Sequence, residues 1–129
     1  MIKAKDLRIG DIVRYGKNTI TILAVHANGG VCFTDGKDQL YAEDVLLEPI
    51  LLTPEILEKN GGKKRTEGWY FMMISKYMYL SVEFGYENGI RVFLKRTTDG
   101  IYVKLNIANN VHELQHILWA LGKDANLKI

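Results

Sequence analysis

The chain has one cysteine, Cys32, and two prolines among 129 residues. A lone thiol cannot build an internal disulfide framework, and it suits a reducing cytoplasm, where the protein is expected to reside. An excess of one charge is missing too, since 17 Lys and Arg stand against 15 Asp and Glu for a net +2. No strong overall field therefore draws the protein to nucleic acid or to a membrane surface. No apolar run approaches the ~20 residues that span a bilayer. The opening "MIKAKDLRIGDIV" interleaves charges with single apolar residues, so it does not read as a secretory signal. These absences argue against a disulfide scaffold and a membrane-spanning protein.

What is present is an ordinary globular composition, 47% hydrophobic and 25% charged, long enough for one domain or two small ones sharing a core. The first fifty residues are strand-like. "GDIVRYG", "NTITILAVHA", "GVCFTDG" and "QLYAEDVLLEPI" are rich in β-branched and aromatic residues and separated by Gly, Asn and Asp. Ile20, Ile22 and Ala24 alternate with Thr19, Thr21 and Leu23, a period of two that turns one set inward. Asn28-Gly29-Gly30 and Asp35-Gly36 carry tight-turn chemistry. Cys32 lies in a strand pattern and is expected to be a buried structural thiol. Residues 1–50 are thus expected to form an SH3-like small β-barrel or a curled antiparallel sheet.

A short linking helix should follow, with Thr53 as N-cap, Pro54 at the first helical position and Gly61-Gly62 as the stop. Lys63, Lys64 and Arg65, close behind Lys59, read as a solvated loop rather than a phosphate patch, because Glu67 dilutes the run. From Trp69 onward "WYFMMI", "YMYLSVEFGY", "GIRVFLKR" and "GIYVKLNI" are strand patterns. Asn88-Gly89 and Asp99-Gly100 are strong hairpin signals, so the last three strands should form an antiparallel meander. Ile90, Val92 and Leu94 give the third of these strands an apolar face, which needs a cover. The closing segment supplies one: Val111, Leu114, Ile117, Leu118 and Leu121 fall on one arc of a helix. Asn110 with Glu113 three residues on forms a capping box, and Gly122 ends the helix. The expected class is α+β, with residues 51–129 making one compact unit of helix, meander and C-terminal amphipathic helix.

That closing helix contains His112-Glu113-Leu114-Gln115-His116, an HExxH pattern. Two imidazoles spaced i, i+4 share a helix face and can share a Zn²⁺, with Glu113 as the base acting on a metal-bound water. Two histidines complete only half a tetrahedral shell, however. The extended metzincin pattern fails, because Trp119 stands where it requires Gly and Gly122 where it requires the third His. After His116 the only acidic residue is Asp124, and the remaining histidine, His26, belongs to the N-terminal strands. His112, Glu113 and His116 are therefore an alternative metal site only. The main expectation assigns no catalytic, cofactor-binding or metal residue and no cofactor, and places both histidines half-exposed beside Trp119.

Three blocks, "KAKDLRIGDIVRYG", "PILLTPEILEKNG" and "VHELQHILWALG", resemble in the same order a family of small uncharacterised proteins of Bacteroides-type bacteria and their prophages and mobile elements. The family's closing pattern reads Val-His-x-Leu-Gln-Asn, then Leu-Tyr-Phe-Ala-Leu. His112, Leu114, Gln115, Ala120 and Leu121 agree with it, whereas Glu113 and His116 stand where it has Gln and Asn. The resemblance implies that HExxH is a local variation on a helix that holds no zinc elsewhere. It implies no biochemical activity, and it makes an accessory protein of a prophage or mobile element the expected setting.

Three functions follow as expectations. The first is a non-enzymatic interaction module holding an unidentified protein partner through an exposed aromatic sheet face, with Trp69, Tyr70, Tyr77 and Tyr79 as contacts. The second is nucleic-acid binding, since "IGDIVRYG" resembles the start of a KOW-type barrel and Lys63, Lys64 and Arg65 could track phosphates. The third is the HExxH zinc hydrolase.

Overall fold

The computed structural model describes residues 2–129, residue 45 by its backbone alone. It is α+β, with two five-stranded antiparallel sheets and two α-helices. The chain divides into two compact units, Met1–Leu51 with Asn110–Gln115, and Leu52–Asn109 with His116–Ile129. Among the described residues no helix is long and apolar enough to cross a membrane.

In the first unit, strands β1 (Ile12–Tyr15), β2 (Asn18–Val25), β3 (Gly30–Thr34), β4 (Gln39–Glu43) and β5 (Leu47–Glu48) lie in the order β4-β3-β2-β1-β5. The sheet stays open. β5 pairs Leu47 with Tyr15 and Glu48 with Arg14 of β1, and among the described residues no pairing joins it to β4 to close a barrel. Of the two expected forms, the open antiparallel sheet is the one that forms. Val13, Ile20, Ile22, Val31, Phe33 and Leu47 are almost fully buried and make its core with Ile2, Ala4, Leu7 and Ala42. The alternation expected along β2 holds through Ile22 and then breaks, because the β2–β3 register shifts between Ile22 and Ala24 and leaves Ala24 half-buried. At the β2–β3 turn Gly29 takes φ +94°, and a Cβ on Gly30 would collide with the Tyr41 ring. Cys32 differs from expectation: it is half-buried, with Sγ 3.4 Å from Nε2 of exposed His26. Its side chain alternates with those of the core residues Val31 and Phe33, so it points to the other face of the sheet.

In the second unit, α1 (Pro54–Lys59) starts as expected, with the Thr53 hydroxyl accepting from the Ile56 N–H at 3.3 Å. It ends where the Gly62 N–H donates to the Leu57 carbonyl at 2.7 Å. The next residues are not the solvated loop expected. Lys63–Thr66 is an edge strand, β6, paired with β7 (Trp69–Met73). Consecutive charges are tolerated there because all four residues of this edge strand are exposed, and lysine guards the edge against unwanted pairing. β8 (Met78–Glu83), β9 (Arg91–Arg96) and β10 (Tyr102–Lys104) complete the order β10-β9-β8-β7-β6, and β8 to β10 form the expected meander. Tyr70, Met72, Leu80, Val82 and Val92 are buried on one face.

The β9–β10 turn is held by Asp99, whose carboxylate accepts from the Arg96 guanidinium and from the Ile101 N–H. The Arg96 contact first, and the backbone N–H second, hold its pKa below the usual carboxylate value. A depressed folded-state pKa contributes stability above the unfolded value and loses it as pH falls through the folded one. Arg96→Ala should therefore move the Asp99 titration, followed by carboxyl NMR, back toward the normal range. An unmoved titration would contradict this account.

Helix α2 (Val111–Ala120) begins in the first unit, where Val111 N–H donates to the Ile50 carbonyl at 2.8 Å. The Glu113 half of the expected capping box is present: Glu113 Oε1 accepts from Asn110 N–H at 3.1 Å and from Asn110 Nδ2 at 2.8 Å. The buried arc differs from the expected one. Val111, Leu114 and Leu118 are buried as anticipated, but so are His112 and Gln115, while Ile117 and Leu121 are half-exposed. At about 100° per residue, this turns the buried arc roughly 60° toward the polar side of the helix. The cause is Gln115, wholly buried, whose Oε1 accepts from the Ile12 N–H at 2.9 Å and whose Nε2 donates to the Gly10 carbonyl at 3.0 Å.

Candidate functional site

The HExxH residues all lie on α2. His112 is 7% exposed rather than half-exposed, because the rotation of α2 carries it inward. His116 is half-buried and stacks on Trp119, with ring centroids 5.9 Å apart and planes at 22°. Glu113 serves the capping box. Among the described residues no group of three or more His, Cys, Asp or Glu gathers to hold a metal ion. Protein purified in metal-free buffer is expected to carry far less than one equivalent of zinc by mass spectrometry. Stoichiometric zinc, lost in His116→Ala, would overturn that expectation.

The outer face of the second sheet has a different character. Residues directly opposite across antiparallel strands share a face. Trp69 opposes Glu83, which opposes Arg91; Phe71 opposes Ser81, which opposes Phe93, which opposes Lys104. Met73 opposes Tyr79, which opposes Lys95, which opposes Tyr102. From β6, Lys63 opposes Phe71, and Arg65 reaches the Tyr79 hydroxyl at 3.3 Å. The face thus carries five aromatic rings, Trp69, Phe71, Tyr79, Phe93 and Tyr102. Among them stand five cations, Lys63, Arg65, Arg91, Lys95 and Lys104, against one acid, Glu83. A nearly neutral chain thus sets five of its 17 Lys and Arg, against one acid, on one aromatic surface.

The rings are ordered by their neighbours. Phe71 meets Tyr79 edge to face at 6.1 Å, and Phe93 meets Tyr102 likewise at 5.6 Å. The Lys95 ammonium lies 5.9 Å from the Phe93 ring centre and 5.8 Å from that of Tyr102. The Arg91 guanidinium sits 3.4 Å over the Tyr86 ring. Trp69, Glu83, Phe93, Lys95 and Tyr102 line a cavity of ≈ 210 Å³. Tyr102 is 60% exposed and Trp69 39%. Such a surface can stack planar rings while cations hold an adjacent anionic backbone.

Of the contacts expected from sequence, Trp69 and Tyr79 lie on this face, and exposed Tyr77 lies in the β7–β8 connection outside it. Tyr70 does not belong: it is buried on the inner face, packed edge to face on Phe84 at 5.8 Å. The lysine run splits by strand alternation. Lys63 and Arg65 join the aromatic face, whereas Lys64 pairs with Glu67 at 2.8 Å. Glu83, Phe93, Lys95 and Tyr102 are absent from the expected contacts, although the Asn88-Gly89 and Asp99-Gly100 turns are signals that could set their register.

A larger groove in the first unit, ≈ 560 Å³ between Lys3, Lys5, His26 and Asp44, carries less chemistry. Its only carboxylate, Asp44, accepts the Ala4 N–H at 2.8 Å and so serves the fold. No protein-family model, no curated protein and no solved structure matches this chain.

Proposed function

We propose that this protein is a non-enzymatic binding module whose second sheet presents a platform for single-stranded nucleic acid. The observation that carries the reading is the interleaving, on one sheet face, of five aromatic rings with five cations against one buried acid. Bases offer π-faces to the rings and phosphates offer charge to Lys63, Arg65, Arg91, Lys95 and Lys104. A duplex keeps its bases stacked inside and could use only the cations. Single strands are therefore the fitting ligand.

Fluorescence anisotropy with labelled 12-nucleotide RNA and DNA strands tests this and separates the two sugars. Affinity in the micromolar range is expected, with log K falling against log salt at a slope of about −2 to −3.5 for three to five phosphates. Equal or tighter binding of duplex, or no salt-dependent binding at all, would refute it.

The protein partner expected from sequence is the second reading. It is favoured by Met73 on that face and Tyr77 outside it, 45% and 60% exposed, which are side chains typical of protein interfaces.

A further inference from the structure

Glu83 is an acid where the platform otherwise carries cations, and it is 5% exposed. Its place in the sheet, opposite Trp69 on one side and Arg91 on the other, sets it in the floor of the ≈ 210 Å³ cavity. Among the described residues its carboxylate accepts one hydrogen bond, from Ser81 Oγ at 3.4 Å, and it forms no ion pair. The neighbouring cations are directed to rings, Arg91 to Tyr86 and Lys95 to Phe93 and Tyr102. A carboxylate offers about four acceptor positions, and burying it without donors is costly. The cavity thus presents acceptors between aromatic walls, in a volume below the roughly 300 Å³ of ordinary small-molecule pockets. That is room for a single planar ring.

We infer that this cavity is a base-reading subsite selective for guanine, with the Glu83 carboxylate accepting from the guanine N1–H and N2–H; this rests on the single-strand reading above. Guanine alone presents two adjacent donors on its pairing edge, matched to two carboxylate oxygens. Adenine and cytosine offer one amino group beside an acceptor nitrogen, and uracil and thymine offer one N–H flanked by carbonyls that the carboxylate repels.

The test measures binding of an eight-nucleotide uridine strand, the same strand with one central guanosine, and the same with inosine, which lacks the N2 amino group. Wild-type protein should bind the guanosine strand about tenfold more tightly than the uridine strand, the size of a good bidentate contact, and lose most of that gain with inosine. Glu83→Gln should reduce the preference of guanosine over uridine to less than twofold. Equal affinity for the three strands, or a Glu83→Gln protein that keeps the preference, overturns the inference while leaving the platform standing. Failure to bind any of them overturns both. The inosine comparison uses wild-type protein alone, so its outcome does not depend on the variant folding.

Discussion

Replacing Gln115 with alanine is expected to lower the stability of the protein by about 3 kcal/mol, because it strands one buried and one partly buried backbone group at once. The Ile12 N–H loses its acceptor at 2.9 Å and the Gly10 carbonyl loses its donor at 3.0 Å. Each loss costs on the order of 1–3 kcal/mol, and in a chain of this size the sum should lower Tm by roughly 10 °C. Gln115→Met separates the causes: it refills the volume without the hydrogen bonds and should recover only a minor part. Gln115→Glu keeps an acceptor for Ile12 but sets an anion against the Gly10 carbonyl, so burial and that carbonyl favour its protonated form and raise its folded-state pKa. A raised pKa gives stability that is present below the unfolded value and lost as pH rises through the folded one. The Glu variant should accordingly come closest to wild type near pH 4 and fall behind at pH 7. Thermal melts at the two pH values decide it; a Gln115→Ala protein within 1 °C of wild type would sink the account.

The double variant Trp69→Ala/Tyr102→Ala is expected to weaken single-strand binding by about a hundredfold or more. Each stacking ring contributes on the order of 1–3 kcal/mol, and these two are the most exposed of the five, so they are the rings most available to a base. Because both stand on the solvent face, their loss should leave the melting temperature nearly unchanged, and the effect should register in binding alone. Lys95→Ala should act differently. It should weaken all strands alike and flatten the salt slope by about 0.7, the signature of one lost phosphate contact. Tyr77→Ala, outside the platform, should stay within twofold of wild type for nucleic acid. If it weakened binding as much as the ring variants do, the contact surface would lie elsewhere.

The amino-acid sequence makes about half of the platform legible. Its strands can be read there, since aromatic and β-branched runs punctuated by Asn-Gly and Asp-Gly specify hairpins through local backbone preference. Its membership cannot. Tyr70 and Phe71 are neighbours in sequence, and composition does not say which faces water; one residue of register exchanges every side chain between the two faces. Lys63 to Arg65 resembles a loop because consecutive charges suggest solvation, and an edge strand satisfies that requirement as well as a loop does. Cys32 departs from its expected burial for a related reason: a strand pattern does not say which of its two faces is covered.

Local chemistry alone thus suffices for the α+β class, the Thr53 and Asn110–Glu113 caps and the meander, because each depends on residues within a few positions of one another. Three features rest on tertiary structure. The first sheet remains open because its two edge strands, β4 and β5, do not pair with each other among the described residues. Helix α2 is turned because Gln115 meets backbone groups more than a hundred residues earlier in the chain. The basic aromatic face exists because register aligns β6 through β10. In each case the deciding interaction joins residues far apart in sequence, where periodicity carries no information about which partner will be met.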